Sequence, residues 1–311
     1  MAPRECPILV WMLYLNREYT KAEYDACYTC LQACVPGFSV PYAPKEADSF
    51  RYCITQLLPL LMMRHRRIPR SKWRDNTTPN GKHWIEQLSD DMGPERYLHS
   101  MIGYHLVWTH SLCGMAMTQG LQKRVVNIGM GLRPYSVEPR GISVSAYIES
   151  LHHKVSMRLP FPTIAIHLPS DRSPRVQLTE LEIKSISEEG LADDARLRRL
   201  CIILTLKEAY IKAIGQPIGF DYTRLEFCVG EQWAKGDGHP LQGWEFRIFR
   251  VEIGVARRDQ LVQEKYQCAT AFFRGSMQSQ FVFYETREDL DSWVQFITID
   301  QMLRVVPKLS A

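Results

Sequence analysis

Residues 197–215 constrain the fold more than any other stretch, because their apolar side chains recur with the period of an α-helix. Five of them fall on one face of such a helix: Leu197, Leu200, Cys201, Leu204 and Ile211. Asp193 and Asp194 suit the positive end where the helix would begin, and Gly215 is typical of the residue that ends one. The sequence therefore predicts a long amphipathic helix with one buried face.

One acidic residue, Glu208, falls on the apolar face of this predicted helix. It lies four residues after Leu204 and three before Ile211, so its carboxylate points the same way as their side chains. A buried carboxylate is costly unless it is paired, hydrogen-bonded or bound to a metal. Lys212, one turn later, offers an ordinary ion pair worth about 0.2–0.5 kcal/mol. A structural pair and a functional carboxylate both remain open at this point.

The order of residues 206–215 is similar to a known family signature. Leu-Lys-Glu-Ala-Tyr-Ile-Lys-Ala-Ile-Gly resembles the third signature of the surfactin-type 4′-phosphopantetheinyl transferases, Trp-x-x-Lys-Glu-Ala/Ser-(aromatic)-x-Lys-x-x-Gly. The fungal members are the most similar, although Leu204 stands where the family usually has Trp. The resemblance implies an α+β fold of two similar α/β subdomains in a pseudo-twofold arrangement, with the active-site cleft between them. We place the N-terminal subdomain at residues 1–140 and the C-terminal subdomain at residues 141–311.

The resemblance also implies roles for three residues of this helix. Glu208 and Lys212 would be the catalytic residues, with Glu208 acting as metal ligand or as general base. Lys207 and Lys212 would steady the phosphate charge of coenzyme A.

A second similarity covers residues 106–117. Thr109 and His110 match the first signature of the family, Phe-Asn-x-Ser/Thr-His, whereas Val107 replaces its Asn. A single histidine near the end of a strand is often structural. In the family this histidine contacts a phosphate of coenzyme A, so the resemblance implies a cofactor-binding role for His110.

Residues 64–74 form the most basic part of the chain, with six Arg or Lys in eleven positions. Such a run is often a solvated loop, but clustered guanidinium groups also suit phosphate. The resemblance implies that this neighbourhood holds the 3′-phosphate of coenzyme A. Arg64, Arg66 and Arg67 are the candidates, and the sequence does not single out one of them.

The family's second signature, Gly-(Ile/Val)-Asp-(Ile/Val)-x, supplies an aspartate that binds magnesium, often with a second acidic residue two positions later. Residues 141–145 occupy that place here, with Ser143 and Ser145 instead of the acidic residues. A second register, residues 128–132, would place Gly131 in the aspartate position. Magnesium prefers charged oxygen ligands, which a serine hydroxyl replaces poorly. The metal-binding signature is therefore degenerate, and Glu208 alone remains of the expected acidic set.

The composition of the 311-residue chain is that of a soluble globular protein, with 45% hydrophobic and 23% charged residues and a net charge of +4. Nine cysteines are scattered without the spacing of a disulfide framework, which favours reduced core thiols. The apolar N-terminal run, residues 7–15, is too short to span a bilayer. We expect a cytoplasmic protein with neither a membrane association nor a nucleic-acid partner.

Local patterns predict most other elements. We expect helices at residues 19–34, 49–63 and 290–306, and strands at residues 7–15, 220–229, 244–253 and 266–274. Pro59 should kink the second of these helices.

Three functions follow from the resemblance and its departures. The first is the family reaction, transfer of phosphopantetheine from coenzyme A to a serine of an acyl or peptidyl carrier protein domain of a polyketide or nonribosomal peptide synthase in fungal secondary metabolism. The second is a repurposed metal-independent enzyme, a cyclase or other acid–base catalyst, acting on a polyketide- or peptide-derived small molecule. The third is a non-catalytic protein that binds a carrier protein or coenzyme A. The sequence leaves all three open.

Overall fold

The computed structural model describes residues 7–88, 93, 96–97, 99–152, 177–216, 220–257 and 260–309. Helices and strands alternate irregularly along the chain, and the six-stranded sheet combines parallel and antiparallel pairs, so the expected α+β class is confirmed. The chain divides into two compact units. Unit 1 comprises Met1–Ile128, Glu252–Glu264 and Thr286–Ala311, and unit 2 comprises Gly129–Val251 and Lys265–Glu285. The pseudo-twofold relation and the subdomain boundary at residue 140 stay predictions.

The described helices are, in chain order, α1 Lys21–Cys34, α2 Ala47–Gln56, α3 Leu58–His65, α4 Gln122–Val125, α5 Val144–His152, α6 Glu180–Ile186, α7 Asp193–Ile214, α8 Arg287–Leu290 and α9 Ile299–Val305. The described strands are β1 Ile8–Tyr14, β2 Trp73–Thr77, β3 His83–Gln87, β4 Met101–Thr109, β5 Leu112–Gly120, β6 Ile128–Pro134, β7 Leu225–Cys228, β8 Trp233–Gly236, β9 His239–Pro240, β10 Trp244–Arg257, β11 Gln260–Phe273, β12 Gln280–Tyr284 and β13 Val294–Thr298.

Unit 1 is built on a six-stranded sheet of order β13-β1-β5-β4-β3-β2. Strand β1 pairs antiparallel with β5 and parallel with β13, so Val10 lies between Ala116 and Val294. Helices α1, α2, α3 and α9 contribute apolar side chains to the core that includes β1 and β5. Cys27, Cys30 and Cys34 lie in that core, and all eight cysteines of the described residues are free.

Unit 2 contains a four-stranded sheet of order β12-β10-β11-β6 and a small sheet of order β7-β8-β9. Helix α7 is its central element, because it contributes to two apolar clusters. One cluster joins α7 to β7, β10 and β11, and the other joins it to α5 and α6. The helix is therefore buried on more than the one face that its sequence predicts.

The local predictions fail mainly at the C-terminus. Residues 290–306 do not form one helix, because Val294–Thr298 is a strand that pairs in parallel with β1. Leu290, Trp293, Val294 and Ile297 satisfy helical spacing, which favoured the wrong element. Thr298 then caps α9 in a capping box with Gln301. The predicted helix 49–63 is also divided, with Leu57 between α2 and α3.

Strand β6 lies unusually close to helix α7, because two glycines face the helix. A methyl group at Gly129 would lie 2.1 Å from the carbonyl oxygen of Ala209, and one at Gly131 would lie 2.1 Å from that of Thr205. No side chain fits at either position without moving the backbone. The glycines therefore set the distance between the strand and the helix that carries Glu208.

None of the described helices combines the length and the apolar character needed to cross a membrane.

We predict that Gly131→Ala destabilises the protein by about 1–3 kcal/mol, because the added methyl group overpacks the contact between β6 and α7. Urea unfolding of the purified variant measures the loss. Gly230→Ala is the matched control, since a methyl group there meets no atom within 4 Å. Equal stability of the two variants would contradict the close packing of β6.

Candidate functional site

Helix α7 begins and ends where the sequence predicts. Asp193 and Asp194 lie in its first turn, where carboxylates interact favourably with the positive end of the helix. Gly215 ends the helix in a left-handed conformation, with φ of 70°, that favours glycine. Leu204, at the position where the family usually has Trp, is buried. The helix thus presents residues 207–212 as one rigid segment.

Lys207 is completely buried and has all three ammonium protons engaged. Its Nζ donates to Glu182 Oε2 at 2.6 Å, to the Gln177 carbonyl at 2.8 Å and to the Tyr222 carbonyl at 3.0 Å. Glu182 also accepts from the backbone amides of Thr179 and Phe227. Burial lowers the pKa of Lys207 and raises the pKa of Glu182, and each charge counteracts the shift of the other. This pair fastens α7 to α6 and β7.

Glu208 lies on the neighbouring side of α7, with 20% of its side chain exposed. Its Oε2 lies 3.8 Å from the Nε of Arg133, which belongs to strand β6. Burial raises the pKa of the Glu208 carboxyl, while the charges of Arg133 and Lys212 and a hydrogen bond with the Leu132 backbone counteract the rise. Glu208 is therefore a partly buried carboxylate held between cations, and its main partner is Arg133 rather than Lys212 alone.

Arg133 is the residue of this site that the sequence reasoning missed. Arg133 follows Gly131 by two positions, where the second register would have its second acidic residue, but this position alone does not show that Arg133 lies near Glu208. The order of residues in β6 does not by itself show that this strand packs against α7. Only the packing of Gly129 and Gly131 on that helix brings the strand, and with it Arg133, to Glu208.

Ser143 and Ser145 lie at the start of helix α5. The Ser143 hydroxyl accepts a hydrogen bond from the Ala146 amide at 3.1 Å, as a helix-capping residue does. The Ser145 hydroxyl accepts from Arg196 Nη1 at 3.0 Å. Both hydroxyls therefore have local structural partners, and their relation to a metal ion stays a prediction.

His110 lies in unit 1, at the tip of the hairpin formed by β4 and β5. Thr109 pairs with Leu112, so His110 and Ser111 form a two-residue turn, and His110 has a left-handed backbone with φ of 45°. Its ring Nδ1 lies 2.9 Å from the Thr109 hydroxyl, and its carbonyl accepts from the Arg51 guanidinium. The imidazole is exposed at the surface of unit 1.

The three candidate arginines of the basic run, Arg64, Arg66 and Arg67, do not converge on one site. Arg64 and Arg67 line a cavity of about 390 Å³, together with Arg70, whose guanidinium stacks on Trp73 at 4.2 Å from the ring centroid. Arg66 faces a different cavity of about 490 Å³ and donates to Gln119 at 2.7 Å. Among the described residues, three arginines and no acidic residue line the first cavity, whereas an aspartate, Asp291, also lines the second, so the first is the better candidate for an anion site.

The structure brings together some of the predicted site residues within each unit. In unit 2, Glu208 and Lys212 act on each other electrostatically, whereas Lys207 is directed to Glu182. In unit 1, Arg64 and Arg67 share a cavity.

The donor set at Glu208 does not fit a magnesium ion. Magnesium is usually held by one or two carboxylates and substrate phosphates, but Arg133 already stands 3.8 Å from the carboxylate. Among the residues described in the structure, no group of three or more His, Cys, Asp or Glu could hold a metal. A divalent cation at Glu208 would also lie against the guanidinium, and like charges at that distance repel.

Comparison with known proteins identifies the class. The chain is 30% identical over 221 residues to the 4′-phosphopantetheinyl transferase pptA of Paxillus involutus, a match that spans 69% of this chain and 73% of that protein. No family model matches the chain. The extent and identity of the match show that the chain belongs to the 4′-phosphopantetheinyl transferase family.

We predict that Lys207→Met costs about 3–5 kcal/mol of stability, because it leaves the buried Glu182 without its counter-charge. Urea unfolding at neutral pH measures the change. The control is Lys184→Met, which removes an exposed lysine from α6. A loss no larger than that of the control would contradict the structural role of the Lys207–Glu182 pair.

We predict that Arg133→Gln raises the pKa of Glu208 further, because the guanidinium charge counteracts the effect of burial. Carboxyl carbon NMR titration of Glu208, identified by its loss in Glu208→Gln, measures the shift. Arg196→Gln is the control, because Arg196 contacts Ser145 and Asp193 instead. A fall in the pKa of Glu208 in Arg133→Gln would contradict the pairing.

Proposed function

We propose that the chain transfers the 4′-phosphopantetheine arm of coenzyme A to a serine of an acyl or peptidyl carrier protein domain, and that it is a transferase of the surfactin type. The observation that carries the proposal is the position of Glu208. It lies in a retained Lys-Glu-Ala segment of a rigid helix, partly buried and beside two cations. Family membership supports the same reaction.

Glu208 is the proposed general base. The serine hydroxyl oxygen would attack the phosphorus that bears the pantetheine arm, and the bond from that phosphorus to the oxygen of the second phosphate would break. Adenosine 3′,5′-bisphosphate would leave, and the hydroxyl proton would pass to the Glu208 carboxylate. Because burial raises the pKa of Glu208, its carboxylate is a stronger base than an exposed glutamate.

Several cationic side chains would contact the phosphates of coenzyme A. Lys212 would steady the phosphate next to Glu208, and His110 would contact the cofactor. Arg64, Arg66 and Arg67 remain candidates for the 3′-phosphate, and the cavity shared by Arg64 and Arg67 supports that pair. Lys207 has no proton left for a ligand, which supports a positioning role beneath α7.

The proposed partner is consistent with the charge of the chain. Carrier proteins are generally acidic, and a net charge of +4 favours their approach. The free cysteines support a reducing cytoplasmic setting, and we propose fungal secondary metabolism as the context.

A second candidate function is supported by the Arg133–Glu208 pair. A carboxylate and a guanidinium 3.8 Å apart can transfer a proton and stabilise developing negative charge without a metal. A metal-independent cyclase or another acid–base catalyst acting on a polyketide- or peptide-derived molecule would use the same two side chains.

Incubation with an apo carrier protein, coenzyme A and magnesium chloride, followed by intact-mass measurement, tests the first function. We predict a gain of one phosphopantetheine arm, with a rate that falls about 10²–10⁴-fold in Glu208→Gln because the general base is lost. Glu149→Gln, an exposed change in α5, is the control and should retain the rate.

The alternatives give different results in the same experiment. Absence of any mass gain would contradict the transfer reaction. If coenzyme A or the carrier protein still binds in calorimetry, the chain is a non-catalytic binder, and if neither binds, the small-molecule reaction is favoured.

A further inference from the structure

Arg133 has an incompletely satisfied guanidinium. Its Nε is buried without a hydrogen-bond partner, and the bond from its Nη2 to Gln177 measures 3.4 Å. The guanidinium also hydrogen-bonds the Tyr147 side chain. Glu208 lies 3.8 Å from Nε, which is an ion pair but too long for a hydrogen bond. Yet 25% of the Arg133 side chain is accessible. Because Nε itself is enclosed, a ligand on the accessible side would bind the Nη donors, one of which has only the long hydrogen bond to Gln177.

The backbone of β6 holds Arg133 in this position. Gly129 and Gly131 lie against Ala209 and Thr205 of α7, and the contact at Gly131 excludes any side chain. An aspartate at position 131 could not be accommodated without separating the strand from the helix. This close packing leaves no room for a carboxylate side chain at position 131. It also places the guanidinium of Arg133 beside Glu208.

The charges at this point favour an anion. Arg133 and Lys212 carry two positive charges, against the single negative charge of Glu208. A guanidinium can donate two parallel hydrogen bonds to a phosphate, and it is more weakly hydrated than an ammonium group. A diphosphate could therefore displace the Glu208 carboxylate as the partner of Arg133 and leave that carboxylate free to accept a proton.

We propose that Arg133 takes the place of a divalent cation in this chain, binding the diphosphate of coenzyme A directly, so that coenzyme A binds without a metal ion. This inference rests on the proposed function, because it takes coenzyme A as the ligand. It adds a ligand-binding residue on β6 and a metal-independent mode of binding.

The test is the affinity for coenzyme A, measured by calorimetry in metal-free buffer with EDTA and again with magnesium chloride. For the natural chain we expect the same dissociation constant in both buffers. Arg133→Gln should weaken binding about 10- to 100-fold in both, the loss expected for a hydrogen bond to a charged group. Arg133→Lys keeps the charge and should lose less.

Arg196→Gln is the matched control and should bind coenzyme A like the natural chain, since its guanidinium serves Ser145 and Asp193. Thermal melting of each variant separates loss of folding from loss of binding. The measurement on the natural chain needs no variant, so it tests the inference even if Arg133→Gln does not fold.

The outcomes separate the inference from the proposed function. Binding that EDTA abolishes and magnesium restores would overturn the inference and leave the transfer reaction standing. Equal affinity of the natural chain and a folded Arg133→Gln variant would also overturn it. Metal-independent binding through Arg133 without transfer to a carrier protein would support the inference and contradict the transfer reaction. Absence of coenzyme A binding in both buffers would overturn both.

Discussion

The contact between strand β6 and helix α7 determines the candidate site. Gly129 and Gly131 let the strand approach until a methyl group on either would overlap the helix backbone. Two residues farther along, Arg133 reaches the carboxylate of Glu208. Because both elements are fixed by regular hydrogen bonding, the two side chains need little further ordering to meet, which is how rigid elements hold a site more precisely than loops do.

Lys207 and Glu208 are adjacent in α7, but they differ in how deeply they are buried and in their roles. Lys207 is fully enclosed with Glu182, and its hydrogen bonds fasten the helix to α6 and β7. Part of the Glu208 side chain is accessible, and its carboxylate interacts electrostatically with Arg133 and Lys212. The first pair supports the geometry in which the second can act. This division explains how one short segment can contain both a structural cation and a candidate base.

Local periodicity predicts the parts of the fold that depend on local interactions. Helix α7 was predictable from its apolar spacing and from Gly215, and β10 from its alternating residues. Strand β13 was not, because its partner β1 lies almost the whole chain length away and its own residues fit a helix. Glu208 was recognisable as an acid on an apolar face. Arg133 was not recognisable, because its relation to Glu208 depends on the packing of two glycines. The burial of Lys207 was not predictable either, because it depends on α7 being covered on several faces.

The chain belongs to the 4′-phosphopantetheinyl transferase family, yet the donor set at Glu208 does not fit magnesium. These two findings agree if the Arg133 guanidinium supplies the positive charge in place of the metal. The most direct test is the NMR signal of the Arg133 Nε–H group, assigned by its loss in Arg133→Lys, during titration with coenzyme A in buffer containing EDTA. If the Arg133 guanidinium binds the diphosphate, we expect this signal to shift as coenzyme A binds, before any metal is added. A signal that stays in place while other resonances report binding, or that moves only after magnesium is added, would contradict this mode of binding.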